Sequence, residues 1–213
     1  MSKGMELMYK RIKPKIDSFL ADVADFTGKD MSDLTFTNVF CYCVDVLDYV
    51  FEPAIKGRIA PTKLLGVIHF TDVGVFILYA PDENKKRVNF SLAHEVSHAI
   101  LEHNKQGGQH LSQLIEDTDY SPAHKKLERE ANFSASILLI NDAAIERCIE
   151  EGRGMKDMSE NFGISNQALE IRLKFYLMFN HGFSEENAHY TVNLFKVNRL
   201  KLSMALYLAQ QNQ

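Results

Sequence analysis

The chain has 213 residues, enough for one substantial core or a core with a small appended unit. An apolar fraction of 46% with 24% charged residues is ordinary for a globular chain, and a net charge of −4 excludes a global electrostatic pull toward nucleic acid or anionic membrane. Three cysteines, Cys41, Cys43 and Cys148, are too few and too odd in number for a disulfide framework; they fit reduced thiols in a cytoplasmic protein.

The basic N-terminal stretch MSKGMELMYKRIKPKIDSFL lacks a continuous apolar run, so no signal peptide is read. Its Leu7, Met8, Ile12, Ile16, Phe19, Leu20 and Val23 recur at helical spacing, with Pro14 as a kink or break. NVFCYCVDVLDYVF, 38–51, reads as a second, mostly buried helix, punctuated afterwards by Pro53 and Gly57. KLLGVIHF (63–70) and GVFILYA (74–80) are rich in β-branched and aromatic residues around a turn at Asp72 and Gly74, which predicts a β-hairpin. A helix is expected from about Asn89–Ser91 to His103, followed by a longer connection opened by NKQGGQ. Another covers 122–140, with Ser121 as N-cap and Pro122 at its first position. Further helices fill 141–150, 155–180 and 184–211. No apolar run is long enough to span a bilayer, so no membrane partner is expected. The fold class is α+β: mainly helical, with one small antiparallel β-sheet packed on the 89–103 helix.

That helix carries the chemistry. His94 and His98 are four residues apart, about 40° around the helix axis and one turn along it, so they share a face and can grip one ion. Glu95 sits beside that face, within reach of a water on the ion. This is an H-E-x-x-H arrangement, in which the metal acidifies the water and the glutamate moves its proton to the leaving amine. Imidazole and carboxylate ligands without a redox step favour Zn2+.

A catalytic zinc needs a third protein ligand. A histidine six residues after His98 is absent, since Asn104 stands there; His103 falls one short. A glutamate on the next helix is the other source, and HKKLEREANFSASILLI offers Glu128 and Glu130, about 200° apart on a helix. Glu128 shares an arc with Leu127, Ala131, Ala135, Leu138 and Leu139, and it is preferred; Glu130 is the alternative ligand, otherwise an exposed helix charge or a partner for Lys126 or the neighbourhood of Arg129. Asn132, one turn past Glu128, is placed to hydrogen-bond a ligand histidine from behind. Arg87 is a candidate to orient substrate or brace the helix start. His103, His110, His124 and Tyr120 are candidates for stabilising an oxyanion. The hairpin edge is a candidate for pairing with an extended substrate.

KRVNFSLAHEVSHAILEH followed by LEREANFSASILL resembles the ImmA/IrrE family of metallopeptidases. Arg87, Phe90, Ala93, His94, Glu95, His98, Leu101, Glu128, Glu130, Ala131, Asn132, Phe133 and Ser134 carry the likeness. The later MSENFGISNQALEIRLKF is similar to the helix-turn-helix-like unit that follows the peptidase core in that family. The chain departs from it at Val96-Ser97, where a glycine is usual, and at Ile140-Asn141, where a proline is usual; neither touches a ligand. The strong part of the likeness covers about 87–139 and a weaker part extends to about 179; a metallopeptidase domain is expected over 1–150 and a helix-turn-helix-like helical region over 151–213. The resemblance implies a zinc-dependent endopeptidase that cleaves or otherwise inactivates a repressor-type regulatory protein of a phage or mobile element, and does so selectively. A non-proteolytic binding protein that keeps the fold is the alternative. DNA binding is not favoured, because the second helix of the unit opens with Ser165, Asn166 and Gln167, with Arg172 and Lys174 only later.

Overall fold

A computed structural model describes residues 3–54, 64–81, 84–106, 110–114 and 121–211. The first helix, α1, spans Lys3–Thr27. Ile12, Ile16, Leu20 and Val23 form its buried stripe, and withdrawing each from water is worth about 2 kcal/mol. Pro14 does not break the helix, contrary to one expectation from the sequence; it lies on the exposed face, where water can take up the carbonyl that the missing N–H leaves unpaired.

Helix α2, Phe36–Asp45, begins with a capping box between Thr35 and Asn38. The single helix expected over 38–51 is two elements. The chain leaves helical geometry after Asp45, Asp48 takes a left-handed backbone (φ 54°), and strand β1 follows at Val50–Pro53. Strands β2 (Leu64–Thr71) and β3 (Gly74–Tyr79) form the expected hairpin, with Ile68 paired to Ile77.

The sheet around the hairpin is larger than local patterning indicates. β1 pairs parallel to β3, and β4 (His110–Leu114), within the expected loop, pairs antiparallel to β2. The order β1-β3-β2-β4 therefore makes a mixed sheet rather than a purely antiparallel one. Both edges of the hairpin are occupied, so neither is open to a substrate strand; the outer edges belong to β1 and β4.

Helix α3, Lys85–Ile100, starts at an Asn84 cap whose side chain accepts from the Lys86 N–H. It packs on the sheet, with Ala93, Val96, Ile68 and Ile77 fully buried in one cluster. α4 (Pro122–Leu139) has the expected Ser121 cap, its hydroxyl accepting from the His124 N–H. α5 (Asp142–Glu150), α6 (Met155–Asn161), α7 (Asn166–His181), α8 (Glu185–Lys196) and α9 (Leu202–Gln211) complete the chain. α6 and α7 meet at Gly163, whose φ of +59° suits a residue without a side chain.

One hydrophobic cluster runs from α1 through the sheet and α4 into α7 and α8, joining Ile16, Leu139, Leu173 and Val192. The helix-turn-helix-like unit is tied to α3 by Lys86 Nζ donating to Ser159 Oγ (2.6 Å) and Asn89 Nδ2 donating to the Gly163 carbonyl (3.1 Å). Tyr9 of α1 stacks on Phe179 of α7 at 4.0 Å. Arg172, weighed from sequence as a phosphate contact, is 1% exposed and ion-paired with Asp142, so it is not available to a phosphate. Among the described residues no helix is long and apolar enough to cross a membrane.

Candidate metal centre

Residues Ser91–His98 of α3 are all buried, a continuous run that a helix achieves only between two layers. The sheet covers one side and α4 the other. Ala93 and Ser97 on α3 and Ala131 and Ala135 on α4 have no measurable exposure, and their small size lets the two helices close on each other.

The structure brings His94, His98 and Glu128 together, with one potential ligand atom from each lying within 4.8 Å of the others. His94 Nε2 is 3.0 Å from His98 Nε2 and 3.1 Å from Glu128 Oε2, while His98 Nε2 is 3.5 Å from Glu128 Oε1. The histidines are 1% and 0% exposed; the Glu128 side chain is 15% exposed and forms the outer side of the cluster.

The neighbours of the two histidines fix where their ring hydrogens sit. His94 Nδ1 lies 2.9 Å from Asn132 Oδ1, which can only accept, so Nδ1 carries the hydrogen. His98 Nδ1 lies 2.7 Å from His103 Nδ1. With His103 directing Nε2–H toward Glu130, its Nδ1 is the acceptor and His98 Nδ1 the donor. Two imidazole lone pairs and a carboxylate then converge with no hydrogen of their own between them. A cation resolves that repulsion, and these donors suit a divalent metal. A proton on His94 Nε2 is the other cation that fits there: burial opposes the charge, but a hydrogen bond to Glu128, the Glu95 and Glu128 charges and Asn132 outweigh it and raise the His94 pKa. The pKa of His98 is pushed far down, by burial first and then by His94, His103 and His124.

Glu130, the alternative ligand from the sequence, lies outside the His94–His98–Glu128 group, and it is not an exposed charge. It is 1% exposed, ion-paired with Arg11 of α1, and its Oε2 lies 3.4 Å from His103 Nε2, short of a closed hydrogen bond. Burial works against its charge, but His103 and Arg11 hold its carboxyl below the usual range. The chain His98–His103–Glu130–Arg11 thus sets the ring orientation and tautomer of His98. His103 stands behind a ligand rather than over a reaction centre, as the oxyanion assignment required. Of the other oxyanion candidates, His110 lies on β4 opposite His69, His124 lies in the first turn of α4, and Tyr120 falls outside the described residues. Glu130→Gln is expected to weaken metal binding by roughly 10- to 100-fold in a chelator competition. An unchanged affinity would show that the chain behind His98 is merely structural.

Glu95 faces β2. Both of its oxygens are buried, and neither accepts a hydrogen bond from a described residue. Burial pushes its carboxyl up to about 8, the His94 charge lowers it and Glu128 raises it. Gly66 makes room for it: a Cβ at Gly66 would stand 2.8 Å from Glu95 Oε1. Sequence reading passed over Gly66, although a lone glycine in the apolar strand KLLGVIHF is a signal of close approach. Arg11 carried no local signal at all.

A family model described as Peptidase_M78, IrrE N-terminal-like domain, matches residues 60–174, more than half of the chain. The chain belongs to this family. The matched span holds His94, Glu95, His98, His103, Glu128, Glu130 and Asn132 together with Gly66; Arg11 lies before it. A comparison with curated proteins found no match.

In this member of the family a cleft of about 1270 Å³ opens beside the cluster, lined by α1, α3, α4 and α7. Glu128 and Asn132 form part of its wall, and Arg87, weighed as a substrate-orienting residue, lines it as well. The first residues of α7, Asn166 and Gln167, face this cleft, so the second helix of the helix-turn-helix-like unit borders the candidate centre.

Proposed function

We propose that the chain is a zinc-dependent endopeptidase that acts in the cytoplasm on one regulatory protein, a transcriptional repressor of a phage or mobile element. The observation that carries this reading is the convergence of His94 Nε2, His98 Nε2 and a Glu128 oxygen beside the unpartnered Glu95 carboxyl, in a chain of a peptidase family. Two imidazoles and one carboxylate suit zinc and leave a coordination position open. A zinc held there supplies Lewis acidity, which acidifies a water and polarises a carbonyl.

The chain's own residues do the rest. Asn132 and His103 keep the Nε2 lone pairs of His94 and His98 turned inward. Glu95 takes the proton of the attacking water on a carboxylate oxygen and passes it to the leaving amine nitrogen. Its buried position against Gly66 raises its proton affinity, which strengthens the carboxylate as a base. Near-complete burial of the histidines supports selectivity, since an arbitrary polypeptide does not reach them.

Metal analysis of the purified chain tests the first step. One zinc per chain is expected, falling to less than about a tenth of that in His98→Ala, because two ligands do not hold the ion. Protein without stoichiometric metal in either form would remove the basis of the proposal. Incubation with repressors encoded near its gene, read by mass spectrometry of the products, then tests the substrate.

A further inference from the structure

We propose that the cleft beside the metal centre is a docking groove for an acidic peptide segment that also carries large apolar side chains, and that this groove selects the protein to be cut. The inference rests on the peptidase reading above and adds the chemistry of the substrate to it. Among the described residues lining the cleft, four cations (Lys86, Arg87, Lys125 and Arg129) accompany a single carboxylate, Glu128. That imbalance occurs in a chain whose net charge is −4. Lys125 and Arg129 are exposed and stand one helical turn apart, on either side of Glu128. An incoming carboxylate therefore meets positive potential next to the cluster.

About half of the remaining lining is apolar, much of it aromatic. Phe90, Phe133, Ile171 and Phe175 contribute to it, and Ile171 is 45% exposed, so its side chain is open to a ligand in the cleft. The amides of Asn166 and Gln167 add donors and acceptors for a peptide backbone. Nucleic acid fits less well. Apolar side chains and a carboxylate share the groove with the cations, and one of the two later cations of the helix-turn-helix-like unit, Arg172, is buried on Asp142.

The test uses the full chain carrying Glu95→Gln, so that binding is read without cleavage. The probes are a fluorescein-labelled peptide alternating Glu with Leu and Phe, its Lys-for-Glu counterpart, its Ser-for-Leu/Phe counterpart and a labelled oligonucleotide, each followed by anisotropy. The acidic apolar peptide is expected to bind about tenfold more tightly than either counterpart, and less tightly as salt rises. Joint replacement Lys125→Gln and Arg129→Gln is expected to weaken it roughly tenfold, and Ile171→Ser by roughly threefold; all three positions are exposed, so the fold is retained. Equal binding of the Lys-for-Glu peptide, indifference to these substitutions, or displacement by the oligonucleotide would overturn the proposal. If the wild-type chain cuts a repressor but this peptide does not bind, the groove assignment fails alone. If the peptide binds as described but no polypeptide is ever cut, the endopeptidase reading fails and the groove stands.

Discussion

Glu95→Gln is expected to lower peptide hydrolysis by roughly 10²- to 10⁴-fold while the chain keeps its metal. Glutamine preserves the size of the side chain in the space that Gly66 leaves, so the neighbours need not move. It cannot accept the water's proton, and that function is what the substitution removes. His94, His98 and Glu128 are untouched, so metal content stays at the wild-type level. Stability gives an internal control. The carboxyl of Glu95 is buried without a hydrogen-bond partner among the described residues, so replacing it with a neutral amide costs little or nothing, and the thermal midpoint is not expected to fall. Full hydrolytic activity in this variant would refute the role of Glu95. A repressor inactivated equally well by Glu95→Gln would point instead to docking without cleavage.

Arg172→Met is expected to destabilise the fold by about 3 kcal/mol at neutral pH, roughly 6–12 °C in thermal midpoint for a chain of this size. Arg172 Nε donates to the Ile140 carbonyl at 3.0 Å, where α4 ends, and its guanidinium pairs with Asp142, where α5 begins. One buried side chain on α7 thereby holds the junction that follows the helix of Glu128 and Asn132. Asp142 also accepts from Asn180 Nδ2 (2.9 Å) and lies 3.0 Å from Lys13 Nζ, which limits the loss.

The pH dependence separates this cause from lost packing. Burial would raise the Asp142 carboxyl, but Arg172, then Asn180 and Lys13, hold it down at about 2. A folded-state value below the unfolded one stabilises the fold above the unfolded pKa, near pH 4, and that contribution disappears as pH falls through about 2. The deficit of Arg172→Met is therefore expected to shrink between about pH 5 and pH 2 in denaturant titrations. A deficit constant across that range would assign the effect to packing.

Much of the candidate centre was legible because its first part is local. His94, Glu95 and His98 are placed by the repeat of one helix, and a helix places residues four apart on one face wherever it forms. Glu128 was preferred on the same grounds, from the arc of apolar residues in LEREANFSASILL, and it is the glutamate that the structure brings to the histidines. Glu130 was misread for an instructive reason. Helical phase separates it from Glu128, but it does not say what stands on the other side, and there Arg11 and His103 wait for a buried charge. Val50 and Phe51, the first half of strand β1, were read as the end of a helix because their apolar character is compatible with either state. Parallel pairing with β3, across more than twenty residues of chain, decides it. β4 was missed for the same reason, its partner being β2 on the far side of α3 in sequence.

By itself, then, the sequence determined the residue types of the centre, their spacing on two helices, the cap at Ser121 that starts the second of them, and the family; the Asn84 cap, which starts the first helix earlier than the expected Asn89–Ser91, came from the structure. The features legible in sequence depend on backbone hydrogen bonds and side-chain periods that close within four residues. Only the tertiary structure decided that His103, Glu130 and Arg11 stand behind His98, that Gly66 makes room for Glu95, and that Arg172 is spent on Asp142. Each of these joins segments far apart in the chain. A buried charge takes whichever partner packing brings within about 3 Å, and no local pattern encodes that partner.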